Sequence, residues 1–261
     1  MANVLKKIYI ALIFIFLYAP MAVLIVLSFN ASKSRSKWGG FTLQWYAKLF
    51  SDASIMEALG TTLLLAVLSA LISTFIGTIA ALSIMSYKKG MRTLIIGVTN
   101  IPMLNAEIVT GISLMLLFIF FKVKFGFTTI LLAHITFNIP YVILSVLPRI
   151  KQLNPSAYEA AMDLGASHFK AFMKVVFPDI LPGVFSGLLM AFTMSIDDFI
   201  ITHFTKGAGV DTLSTKIYSQ VRKGIDPKMY ALSSIIFVTV LVLLILVNLL
   251  PNAGKKTKAK K

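Results

Sequence analysis

Asn154-Pro-Ser-Ala-Tyr-Glu-Ala-Ala-Met-Asp-Leu-Gly165 runs on through Ala166 to Lys174 and ends in Val175-Val-Phe-Pro178. Ser156 is placed to cap a helix, and Glu159 three residues later completes a capping box. Gly165 ends that helix, since a left-handed C-terminal position suits glycine. Ser167 caps a second short helix, and Pro178 stops it. The expected product is a helix-turn-helix, too polar to cross a bilayer, lying at the membrane surface. What flanks it decides the fold class.

Working outward, the loop (149–179) lies between two apolar runs, 127–147 and 181–204. Further runs follow at 8–29, 59–85, 94–121 and 230–250, each about long enough to span a hydrocarbon core. Pro20, Pro102 and Pro140 fall inside three of them, with Pro102 as the expected break in the third. The first run is too long for a signal-peptide core and lacks a cleavage site, so it counts as a span. The composition agrees: 57% of the 261 residues are hydrophobic and 13% are charged, where soluble chains carry about 25% charged residues. The expectation is an all-α membrane protein with six transmembrane helices in a single transmembrane domain, 1–261.

The net charge is +15. It does not point to nucleic acid, because the cations stand in short runs beside the apolar segments, as membrane flanks do. The lysine-rich tail, 255–261, suits anionic lipid headgroups. An even number of spans puts both termini on one side, and the cation bias weakly favours the cytoplasm. There is no cysteine, so disulfides and thiolate metal sites are excluded. His134, His168 and His203 are scattered without metal-ligand spacing. Met190 and Met194 suit packing, and Trp45 and Tyr46 read as interfacial aromatics. No phosphate-binding glycine loop is present, so this chain does not bind ATP by that route.

Three acids fall inside the apolar runs: Glu107, Asp197 and Asp198. A charge there costs about 3 kcal/mol on insertion scales and is kept only facing protein or water. Treated as straight helices at about 1.5 Å per residue, their spans carry all three between the middle and outer mouth of the bilayer. Gly187, Ala191, Ser195, Asp198, Thr202 and Thr205 recur at spacings of three and four, a small and polar stripe suited to a pore wall. Asp197 points about 100° away from it. A structural alternative pairs these acids with Lys206 or His203. The functional one is a cation path, with Phe199 and Tyr218 offering their ring faces to a passing ammonium.

The 154–178 stretch resembles the E-A-A-x3-G-x9-I-x-L-P loop of importer-type ATP-binding-cassette permeases. Glu159, Ala160, Ala161, Gly165 and Pro178 match in register, while Val175 and Phe177 replace the usual Ile and Leu. Ser195-Ile-Asp-Asp-Phe199 resembles the S-x-D-D segment of polyamine permeases. Asn30, Trp45-Tyr46, His134-Ile-Thr-Phe-Asn-Ile-Pro140 and Lys216-Ile-Tyr-Ser219 extend the likeness over nearly the whole chain, toward the C-type subunits of spermidine/putrescine importers.

That resemblance implies a type I importer permease fold in a bacterial cell membrane, with a cytoplasmic coupling loop and both termini inside. It implies half of a translocation pore, completed by a second permease subunit, two ATPase subunits that hold ATP and Mg, and an extracytoplasmic substrate-binding protein. The chain itself would hold no cofactor and catalyse nothing. Ferric-iron, sulfate or molybdate and amino-acid importers are the alternatives within transport. An intramembrane aspartyl hydrolase is the rival from another class. Adjacent Asp197 and Asp198 diverge by about 100° on a helix, which argues against a shared catalytic water.

Overall fold

The computed structural model describes residues 2–224 and 226–253; the basic tail at 255–261 lies outside them. Helices make up nearly all the regular structure. The β-structure among the described residues is the isolated bridge between Asn30 and Phe41. The chain divides into two compact units, Met1–Met56 with Ile217–Lys261, and Glu57–Lys216.

In the first unit, α1 (Ala2–Ser28) packs on α12 (Pro227–Ala253), and the short α2 (Gln44–Phe50) also packs on α12. After Lys7, α1 has no charged residue, and large side chains such as Phe16, 81% exposed, point outward, as a lipid-facing helix requires. Asn30 organises the connection from α1 to α2. It is buried, donates to the Lys37 carbonyl at 2.9 Å and accepts from the amides of Ser32 and Gly39. Its own carbonyl accepts from Trp45 Nε1 at 2.7 Å. Trp45 is therefore a buried strut, not the interfacial aromatic its position suggested. Lys228 bonds the Asp52 carboxylate at 2.7 Å.

The second unit is built on α6 (Phe127–Lys151) against α9 (Phe177–Asp197). Val142, Ile143, Val146, Leu147 and Ile150 of α6 meet Ile180 and Ala191 of α9 in one apolar core, with Ala70, Ala81 and Ile84 of α3 (Ala53–Ser86). Small residues set the spacing. A Cβ on Gly183 would stand 3.0 Å from the Ser145 carbonyl oxygen, so the two backbones can approach only across glycine.

Two expected spans are not single helices. The run 94–121 is α4 (Lys89–Leu104) and α5 (Glu107–Phe120), bent by 101°. The break falls at extended Asn105 and Ala106, beyond Pro102, which stays inside α4. Glu107 opens α5, where unpaired N-terminal amides favour an acid. The run 181–204 is α9 followed by α10 (Ile200–Thr205), broken at Asp198. Four helices among the described residues are long and apolar enough to cross a membrane, or five with the bent α4–α5 pair. The sixth expected span, 230–250, falls on α12, many of whose side chains lie outside the described set.

The polar loop folds into α7 (Pro155–Asp163) and α8 (His168–Ala171). The cap of α7 is Asn154, whose side chain accepts from the Ser156 amide at 3.1 Å, so the helix starts earlier than Ser156 would have set it. Pro155 then occupies the first helical position, where a missing N–H costs nothing. Gly165 has φ +83°; its amide bonds Met162 O and that of Ala166 bonds Ala161 O, the Schellman arrangement. Ser167 caps α8 as expected. Pro178 does not stop the helix. A π-helical turn, Phe172–Val176, leads into α9 just before it, and the wider turn moves the preceding carbonyl away from the proline ring.

Candidate functional site

Both helix breaks open onto one cavity of about 240 Å³, lined by residues of α4, α5, α6, α9 and α10. Glu107, Asp197 and Asp198 line it together with Asn105, Thr110, Phe137, Tyr141, Met103 and Met194. No lysine or arginine is among its lining residues. Glu107 thus faces one space with the adjacent Asp197 and Asp198, some ninety residues further along the chain, which the straight-helix arithmetic could not place. The bend at Asn105 turns Glu107 toward α9, and the break at Asp198 turns two adjacent aspartates into the same wall.

The three acids differ in what holds them. The Asp198 side chain is only 4% exposed. It caps α10, accepting from the amides of Ile201 at 3.2 Å and Thr202 at 2.8 Å and from Thr202 Oγ1 at 2.7 Å. His134 Nε2 stands 3.4 Å from its Oδ2. Asp198 therefore shapes the backbone while its charge faces the cavity edge. Asp197 and Glu107 are exposed and have no hydrogen-bond or ion-pair partner among the described residues, leaving both carboxylates open to a ligand. Lys206, one of the partners considered for these acids, pairs instead with Asp211. His134 bonds Thr202 Oγ1 at 2.9 Å. Its partnership with Asp198 was not legible, because 64 residues separate the two and no helical spacing links them.

The remaining residues of the expected path lie elsewhere. Ser195 and Thr202 are buried behind the cavity wall. Ser195 bonds Ser69 Oγ at 2.7 Å and Asn138 Nδ2 at 2.9 Å. The stripe from Gly187 to Thr205 is thus largely a packing seam, with Asp198 the member that reaches the cavity. The Phe199 ring lies 5.3 Å from that of His203 and does not line the cavity. Tyr218 belongs to the first unit, on α11 (Leu213–Lys223), with Arg222 6.0 Å over its ring. Among the described residues no cluster of His, Asp and Glu is fit to hold a metal ion.

On the polar loop, Glu159 and Ala160 are exposed, as are Leu164 at 89% and Phe169 at 73%. Tyr158 OH lies 3.1 Å from His168 Nδ1 and ties α7 to α8. The short, capped helix pair thus exposes charged side chains, Glu159, Asp163 and Lys170, beside the large apolar Leu164 and Phe169. Gly165 and Pro178 are exposed as well, and Ala161 is half-buried.

The chain as a whole has counterparts among known proteins. Over 94% of its length and 92% of the relative's, the chain is 37% identical to the spermidine/putrescine transport system permease protein PotC of Escherichia coli K12. It is 38% identical, over 85% and 82%, to the putrescine transport system permease protein PotI of the same organism. A bacterial ABC transporter that imports the acidic polysaccharide alginate has the same fold, with TM-score 0.71 over 99% of this chain and 96% of that one at 20% identity. The model of the binding-protein-dependent transport system inner membrane component matches residues 73–253, a stretch that includes α4 to α10 and both breaks. The chain belongs to that family, as a membrane-spanning, non-catalytic permease subunit of an ABC importer.

Proposed function

We propose that this permease carries polyamines such as spermidine and putrescine, and that the carboxylate-lined cavity is a station on their path. The observation that carries the reading is the meeting of Glu107, Asp197 and Asp198 in one space with no cation in its lining. An ammonium 4 Å from a carboxylate gains about 4 kcal/mol at an effective dielectric of 20. That offsets part of the dehydration of a polycation and is weak enough to permit release. Phe137 and Tyr141 add apolar and π surface for the methylene spacers and the charged ends. The identity to polyamine permeases supports the same substrate class, and the lining acids disfavour sulfate, molybdate and other anions. None of the three acids hydrogen-bonds another, so no carboxylate dyad supports the hydrolase reading.

The whole chain, 1–261, acts as one permease domain and half of a pore, beside a second permease subunit. The exposed residues of α7 and α8, Glu159 among them, dock on one of two ATPase subunits, which bind the ATP and Mg. Both termini and this loop lie in the cytoplasm, and a substrate-binding protein delivers from the opposite side. The complete complex in proteoliposomes tests the substrate class through its ATPase. Hydrolysis stimulated by binding protein loaded with spermidine or putrescine supports the reading. Equal stimulation without polyamine overturns it.

A further inference from the structure

Behind the cavity wall, α6 grips both sides of the break between α9 and α10. His134 and Asn138 lie four residues apart, on one face of α6, and both are fully buried. Asn138 Nδ2 donates to Ser195 Oγ at 2.9 Å, on the α9 side. His134 Nε2 meets Thr202 Oγ1 at 2.9 Å, on the α10 side. Asp198, with ψ 128°, is the extended residue between them.

The polarity of this chain of bonds follows from its carboxylate end. Asp198 Oδ2 can only accept, so the Thr202 hydroxyl, 2.7 Å away, donates to it. The free lone pair of that hydroxyl then receives the proton of His134 Nε2. His134 Nδ1 is buried without a partner, so the other tautomer would leave a buried N–H unanswered and set two acceptors face to face. One tautomer fits.

We propose that His134 is a positioning residue for transport. Through Thr202 it holds the Asp198 carboxylate in the cavity wall, and with Asn138 it splints the broken helix across the station. This rests on the reading of the cavity as a polyamine path. A residue that only fills space would be replaced best by Phe; one that donates from the Nε2 position would be replaced best by Gln.

The test uses His134→Gln, His134→Phe and the pair Thr202→Ser and Thr202→Val, each in the complete importer. Hydrogen exchange over residues 196–205 reads the splint directly and needs no substrate. His134→Phe and Thr202→Val are expected to lose protection of the Ile201 and Thr202 amides, while the Gln and Ser variants keep it. Uptake is then expected to fall about tenfold in maximal rate in His134→Phe, the scale of one lost buried hydrogen bond. The half-saturating concentration is expected to stay at the parent value, because the binding protein sets it. Should Phe fail to assemble, the Thr202 pair carries the same comparison. Parent-like exchange or parent-like maximal uptake in the Phe and Val variants would overturn the positioning role. Absence of polyamine uptake by the parent overturns the substrate reading instead, and leaves the exchange result to decide the splint.

Discussion

At the scale of single residues, Asp197 and Asp198 are adjacent in sequence and opposite in role. Asp198 answers two backbone amides and a hydroxyl, so its loss acts on structure as well as on charge. Caps of this kind contribute roughly 0.5–2 kcal/mol. Asp197 is exposed and unpaired among the described residues, so its loss acts on charge alone. Asp198→Asn is therefore expected to lower both the melting temperature and uptake, and Asp197→Asn only uptake. Thermal unfolding in detergent beside uptake assays separates them; equal melting losses would refute the division. Outside the membrane, Asp52 is held below the usual carboxylate range, first by its hydrogen bond from Lys228, and Lys228 is raised, first by the same bond. The stabilisation from Asp52 is then present at neutral pH and fades as pH falls through its depressed value. That from Lys228 is present at neutral pH and fades only above the ordinary lysine range. Asp52→Asn should melt earlier than the parent at pH 7, with the gap closing in acid. A gap that persists at low pH would show that the pair is not its source.

At the scale of elements, the start of α6 at Phe127 and the capping of α8 by Ser167 follow from residues read in order. So does the left-handed end of α7 at Gly165. These are local decisions, and local sequence carries them. The break expected at Pro102 falls a few residues later, at extended Asn105 and Ala106. The one at Asp198 was not expected: its carboxylate caps α10 through Ile201 and Thr202, with His134 close by from α6, and hydropathy alone reads straight through such a site. The same holds for Pro178, where a π-helical turn absorbs the proline that a simple rule takes as a stop. Two substitutions test the packing. Gly165→Ala forces an L-residue into φ +83° and is expected to cost about 1 kcal/mol, seen as faster hydrogen exchange in α7 with α6 and α9 unaffected. Gly183→Val drives methyls into the Ser145 carbonyl and Arg149 and is expected to lower the melting temperature by several degrees. A parent-like melting temperature for Gly183→Val would mean that α6 and α9 can separate freely.

At the scale of the whole molecule, the class of the protein was legible early, because a charge deficit and long apolar runs leave few folds open. The site was legible in its members but not in its shape. Glu107, Asp197 and Asp198 stand out as acids in apolar surroundings, while the cavity that joins them depends on two bends. Topology has its own test: Ala166→Cys in the cysteine-free chain should resist labelling from outside intact cells and label after permeabilisation, whereas ready labelling from outside would invert the orientation. The central claim, that the acids of the cavity pass a polycation, is tested most directly by ATP-driven uptake of labelled spermidine and putrescine in proteoliposomes holding the complete importer. The parent is expected to accumulate the polyamine, and the Glu107→Gln, Asp197→Asn double variant to lose at least about tenfold in rate, about 1.4 kcal/mol and so only part of one ammonium–carboxylate contact, while its substrate-free ATPase stays at the parent level. Uptake by the double variant at the parent rate would contradict the account.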